Sequence, residues 1–141
     1  MRKSFTLLEM LIVLGIIAVI LSVLTVSFST AQKKSRDAKR KGDLKALQNG
    51  MEQYYSTCSY VYPTGPGTSG AAGALPPGSA VLCGASPAVV PAVPSDPQTG
   101  VGYMYYPTGS PISGFSLCAR LETENITTPA PTPNYCINSQ Q

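Results

Sequence analysis

The 141-residue chain contains no histidine and no tryptophan. That excludes Ser/His/Asp triads, general acid–base work by imidazole and His-ligated metals. The residues left for chemistry are four cysteines, seven carboxylates and ten basic side chains. Cys58, Cys83, Cys118 and Cys136 show no C-x-x-C spacing, which argues against zinc and thioredoxin-like chemistry. An even number in a small, Pro/Gly-rich, exported segment reads as two disulfides, the alternative being reduced structural cysteines in a cytosolic domain. Three pairings are possible, and sequence alone does not select among them. Cys58 with Cys83 and Cys118 with Cys136 is preferred, because both loops are then short and each bridge pins an irregular segment, contributing about 3 kcal/mol of chain entropy. No nucleophile lies beside a base, so no catalytic residue is assigned.

Glu9 is the most unusual carboxylate. It stands at the threshold of 23 uncharged residues that run to Lys33, of which Met10 to Val26 (MLIVLGIIAVILSVLTV) is nearly all aliphatic. A bilayer-spanning helix needs about 20 such residues. A buried core helix of this length would consume the whole core of so small a chain, and a secretory signal would show a shorter apolar run with a small-residue cleavage site after it. The run is therefore read as membrane-spanning. An acid at its edge either sits in the headgroup layer or has a functional partner.

Arg2-Lys3-Ser4 followed by Phe5-Thr6-Leu7-Leu8-Glu9-Met10-Leu11 resembles the class III signal of type IV pilins and type II secretion pseudopilins. The motif is a short basic leader, a small residue, then Phe-Thr-Leu-hydrophobic-Glu. The resemblance implies cleavage by a prepilin peptidase between Ser4 and Phe5 and methylation of the new N-terminus at Phe5. It also implies an assembly role for Phe5, Thr6 and Glu9, with Glu9 pairing with the α-amino group of a neighbouring subunit's Phe5. An ammonium and a carboxylate satisfy each other in a low-dielectric bundle, so an unpaired Glu9 drives assembly and fixes the stagger of subunits. Two departures stand out: Ser4 replaces the family's usual Gly, and no proline interrupts the apolar helix before Pro63.

The elements that must position these groups follow from composition. All thirteen prolines lie at or after Pro63 and ten of the thirteen glycines at or after Gly65, so the chain changes character near Cys58. With 12% charged residues and mean hydropathy +0.08, it is too apolar for a disordered tail. We expect an α+β fold: leader 1–4, transmembrane and polymerisation helix 5–31, amphipathic helical stalk 32–57, and a small head 58–141 built on an antiparallel sheet. Phe5 to Tyr55 as one helix would be about 75 Å long at about 1.5 Å per residue. In the stalk, Leu44, Leu47, Met51 and Tyr54 form an apolar stripe, with Lys45, Gln48, Asn49 and Glu52 elsewhere around the axis.

Charge is segregated. Lys33 to Lys45 holds seven basic residues against Asp37 and Asp43, a local charge of +5. The chain beyond Lys45 has only Arg120 against Glu52, Asp96, Glu122 and Glu124, a local charge of −3. Asp37 with Lys41 and Asp43 with Lys39 read as helix-surface pairs, and the stripe as solvated or facing lipid headgroups. No aromatic platform is interleaved with it, so nucleic acid is not expected as a direct ligand. Counting basic residues alone would place the C-terminus in the cytoplasm, since two precede the apolar run and seven follow it. The cysteines and the resemblance outweigh that count.

In the head, Val101–Tyr106 and Phe115–Leu121 read as a hairpin, with Phe115, Leu117, Ala119 and Leu121 on the face toward the helix and Cys118 and Arg120 on the other. Cys58 to Pro94 reads as irregular loop with one short strand at most. Ser95 to Gly100 is a turn by composition, and it resembles the Asp-Pro-x-x-Gly segment near which major pseudopilins bind calcium. Asp96 would be the ligand, but with so few acids nearby a plain turn is preferred. Asn125-Ile126-Thr127 fits an N-glycosylation acceptor and the 127–133 segment an O-glycosylated one, both read as solvated loop inside the Cys118 to Cys136 loop. The second disulfide loop resembles the closed C-terminal region of many pilins.

These readings lead to a structural subunit of a type IV pilus-like filament. Its expected partners are identical subunits, prepilin peptidase, an inner-membrane assembly platform, and membrane lipid before assembly. The precursor would have its N-terminus in the cytoplasm, and the mature form would lie in an extracellular or periplasmic filament. A type II secretion major pseudopilin is the alternative within the class. From another class, the rival is a monomeric membrane-anchored protein whose head binds a ligand or DNA.

Overall fold

The computed structural model describes residues 4–65, 72–84, 89–124 and 132–141, without the side chains of residues 24–27. The leader residues before Ser4 and the glycosylation patterns at Asn125–Thr127 and most of 127–133 lie outside the described residues. The chain divides into two compact units after Ser35, four residues beyond the expected end of the apolar segment. One helix, α1 (Leu7–Thr57), contributes to both.

In the first unit, the absence of proline and the dense aliphatic sequence let the helix ladder satisfy every backbone group internally, which is what a lipid environment demands. The unit's large apolar side chains remain exposed, from 46% for Ile17 to 84% for Leu7. A soluble protein does not leave so much contiguous apolar surface in water. The segment is long and apolar enough to cross a membrane.

The second unit is α1 from Arg36 onward laid on a four-stranded antiparallel sheet, in the order β1 (Gly73–Ala74), β2 (Met104–Thr108), β3 (Gly114–Ala119), β4 (Tyr135–Asn138). This is the α+β, pilin-like architecture expected from sequence. The core is Leu44, Leu47 and Met51 of the helix against Tyr105, Phe115 and Leu117 of the hairpin, closed by Tyr62, Val93 and Tyr103. Phe115, Leu117 and Ala119, with Leu121 just past the strand, are all buried, as the alternating pattern requires. An aromatic file runs from Tyr55 stacked on Tyr62, with ring centroids 4.6 Å apart, to Phe115 edge-on at 4.8 Å.

Several boundaries differ from the reading of the sequence. β2 starts at Met104 and not at Val101, because Gly102 first bridges Ser95 and lies against the backbone of Leu75. β4, for which no strand was expected, begins within the second disulfide loop and runs two residues past its end, with Cys136 directly opposite Cys118 of β3. The apolar stripe is also broader than the spacing suggested. Gln48 belongs to the buried face, and Tyr55, rather than Tyr54, packs on the core. Gln48 is tolerated there because its amide donates to the Asn138 carbonyl, and nearby Glu52 accepts from the Gln140 N–H at 2.8 Å.

Both disulfides join neighbours, Cys58 with Cys83 and Cys118 with Cys136. The first lies where α1 ends, at two non-glycine residues in the left-handed region, Ser59 (φ 61°) and Tyr60 (φ 58°). That turn costs about 1–2 kcal/mol per residue. The Tyr60 N–H bond to the Tyr55 carbonyl at 3.1 Å and the edge-on contact of their rings offset part of it.

Gly102 gives the sharpest test of the packing, because an added Cβ would lie 1.6 Å from the Leu75 carbonyl oxygen, a backbone atom that cannot rotate away. G102A is expected to destabilise the second unit by about 3 kcal/mol. G42A, at an exposed helical position with open space around it, should stabilise by up to about 1 kcal/mol. Thermal melting of the two variants beside the parent checks both signs.

Candidate functional site

The chain presents two sets of polar residues with defined geometry, one at the start of α1 and one where the second unit's helix meets its loops. At the first, Ser4 and Phe5 are exposed and lie outside any regular element. The helix starts at Leu7, with Thr6 as its N-cap: the Thr6 hydroxyl accepts from the Glu9 N–H at 3.2 Å. In return, Glu9 Oε2 sits 3.5 Å from both the Thr6 N–H and the Thr6 hydroxyl. Thr-Leu-Leu-Glu is thus a loose capping box, two donors of the first turn facing the side chains of the same box. The arrangement places Glu9 on the first turn and keeps the Ser4–Phe5 bond out of the helix. Its other oxygen, Oε1, has no hydrogen-bond partner among the described residues.

Residues 1–25 match the prokaryotic N-terminal methylation motif. This is the class III prepilin signal of type IV pilins and pseudopilins. It covers the capping box and most of the apolar run, and it supports a structural subunit handled by a prepilin peptidase rather than an enzyme. No curated protein and no solved structure matches the chain. The match therefore bears on the first 25 residues, and the head stands on its own geometry.

Sequence reasoning missed the second set. Arg40 is 2% exposed, and its guanidinium is surrounded by acceptors. Nε donates to Asp96 Oδ2 at 2.6 Å, Nη1 to Asp37 Oδ1 and to Glu122 Oε1 at 2.8 Å each, and Nη2 to Asp96 Oδ1 and Gln98 Oε1 at 3.2 and 3.3 Å. Arg36 forks onto Glu122 at 2.7 and 2.6 Å, and Lys41 pairs with Glu124. Asp37 in turn accepts from the Glu122 and Thr123 N–H groups and the Thr123 hydroxyl. Helix 36–41 is stitched by charge to two loops at once. The expected pairs of Asp37 with Lys41 and of Asp43 with Lys39 are replaced: Asp37 holds Arg40, and Asp43 accepts from the Tyr103 hydroxyl at 2.7 Å. The signal was present in the charge segregation, because the basic stripe and the acidic head are two halves of one internal contact.

Asp96 was the candidate calcium ligand. Both its oxygens bond Arg40, and Oδ1 also accepts from the Gln98 and Thr99 N–H groups at 2.9 Å. A guanidinium in that position repels a cation, and no group of three or more metal-ligating side chains occurs among the described residues. The turn does not fit calcium. It is an Asx turn tied to the helix.

Burial opposes ionisation of Asp96, but hydrogen bonds from Arg40 and from the Thr99 and Gln98 N–H groups prevail and hold its pKa at about 2. Asp37 is lowered in the same way: burial raises it, and the Glu122 and Thr123 donors outweigh that. Glu122 is lowered chiefly by the Arg36 hydrogen bond, against desolvation. Arg40 is raised by its bond to Asp96 against desolvation. Burial pushes the Tyr103 phenol up, and the hydrogen bond to Asp43 adds to it.

Depressed carboxylate pKa values stabilise the fold above the unfolded values of about 4, and that stability is lost as pH falls through the folded ones. The second unit is therefore expected to lose stability steadily from about pH 5 to about pH 2. In D96N the slope over that window should be shallower. R40Q leaves Asp37 and Asp96 without their cation and Glu122 with Arg36 alone, and should cost about 3–5 kcal/mol. R36Q, at a position 30% exposed, should cost far less. Denaturant melts of the three variants across pH test both expectations.

Proposed function

We propose that this protein is a structural subunit of a type IV pilus-like filament, cut by a prepilin peptidase after Ser4, methylated at Phe5, and polymerised through its N-terminal helix. The observation that carries this reading is that the methylation motif at residues 1–25 covers the start of α1, where the described apolar side chains of the first unit are all exposed and one carboxylate sits on the first turn. Such a surface needs lipid first and identical helices afterwards. The mature protein would lie in a filament outside the cytoplasm, and the precursor in the membrane with its N-terminus inside.

The processing and assembly roles follow from where the groups sit. Ser4 and Phe5, exposed and outside the helix, offer a non-helical backbone for proteolysis. Cleavage frees the Phe5 amine. In a packed bundle of helices, that ammonium supplies a partner for Glu9 Oε1, which has none among the described residues, an attraction of about 4 kcal/mol at about 4 Å and an effective dielectric of about 20. The two disulfides favour a pilus exposed outside the cell over a pseudopilus. Of the two features that favour the pseudopilin, a short head and Asp96-Pro97 as a calcium turn, the second is taken up by Arg40.

Intact mass and N-terminal sequencing of material sheared from cells should give a chain that starts at N-methylated Phe5 and is four hydrogens lighter than the reduced form, for its two disulfides. A chain starting at Met1, found only in membranes with free thiols, would overturn the proposal. E9L separates a filament subunit from a monomeric anchor. It should leave membrane insertion intact and reduce sheared filament by at least tenfold, whereas a monomeric anchored protein would be indifferent to it.

A further inference from the structure

The basic residues that follow the apolar run divide into two groups once the contacts are traced. Arg36, Arg40 and Lys41 have carboxylate partners within the second unit. Lys33, Lys34, Lys39 and Lys45 have none among the described residues, and Lys45 donates instead to Gln48 Oε1. Lys33 and Lys34 are exposed, adjacent, and the first charges after the uncharged segment.

The carboxylates that could serve them on another copy of the chain are already engaged. Asp37, Asp96 and Glu122 hold Arg36 and Arg40, and Glu124 holds Lys41. Asp43 accepts from Tyr103, and Glu52 accepts from Tyr62 and from the Gln140 N–H. Glu9 lies at the far end of the apolar run. The counter-charge for Lys33 and Lys34 therefore comes from outside the protein.

Their depth indicates its source. The 23 uncharged residues between Glu9 and Lys33 rise about 35 Å as a helix, at about 1.5 Å per residue. That exceeds a hydrocarbon core of about 30 Å by only a few ångströms, which is where phosphate groups begin. Lysine stems can lie along the apolar boundary while their ammonium groups reach the headgroups. Resting on the membrane-anchored reading above, we infer that Lys33 and Lys34 form a contact site for anionic phospholipid headgroups, which holds the subunit in the bilayer before assembly. The pair lies at the C-terminal end of the apolar run, and its lipid is given up when the subunit leaves the bilayer.

The test uses the full chain in nanodiscs of equimolar phosphatidylglycerol and phosphatidylcholine, with the co-retained lipids counted by native mass spectrometry. The parent is expected to keep phosphatidylglycerol over phosphatidylcholine by on the order of tenfold. K33Q/K34Q should bring the ratio near one, and K45Q, the loss of one charge within the second unit, should leave it unchanged. Equal retention of both lipids by the parent, an undiminished preference in K33Q/K34Q, or an equal loss in K45Q would each overturn the site. A chain that enters no nanodisc at all would instead overturn the anchored reading, and the site with it.

Discussion

The second unit depends on one guanidinium. Arg40 is buried among Asp37, Asp96, Glu122 and Gln98, and through them it fixes the helix to the 95–100 turn and to the segment that follows β3. A buried charge is costly unless every donor is used, and here all three of its nitrogens are. The consequence is specificity of register. Leu44, Leu47 and Met51 could slide along an apolar sheet face at small cost, whereas the fork geometry of Arg40 and Arg36 accepts one position only.

This contact also explains the lopsided charge distribution along the chain. Read as sequence, seven basic residues after an apolar run suggest a surface turned toward an outside partner. Three of them instead meet the carboxylates of the head. Helix spacing predicts neighbours three and four residues away, so it brought out pairs within the helix. It is blind to acids that return from 56 to 86 residues later, because loop geometry places them. Asp96 illustrates the limit: the Asp-Pro turn was legible, and its partner was not.

Much else could be read in advance. The helix, its buried face at Leu44, Leu47 and Met51, and the inward face of β3 follow from periodicities of 3.6 and 2, which depend on a residue and its near neighbours. The N-terminal motif was legible for the same reason, since its Thr6 and Glu9 lie within one turn. Gln48 and β4 were not. A glutamine is buried only if an acceptor is waiting, and β4 is a strand because it pairs with β3, where Cys136 lies opposite Cys118. Both depend on partners distant in sequence.

The outer edge of β4 has one more implication. An open sheet edge presents unpaired N–H and C=O groups on which another strand can grow. Here Gln48 takes the Asn138 carbonyl and Glu52 takes the Gln140 N–H, so two side chains of the helix stand in for the missing strand. The opposite edge, β1, is only two residues long. In a filament, heads held close together with open edges would risk fusing through strand exchange into a cross-β aggregate. Both borders of the sheet thus offer a second strand little to grow on, one because the helix occupies part of it and the other because it is short.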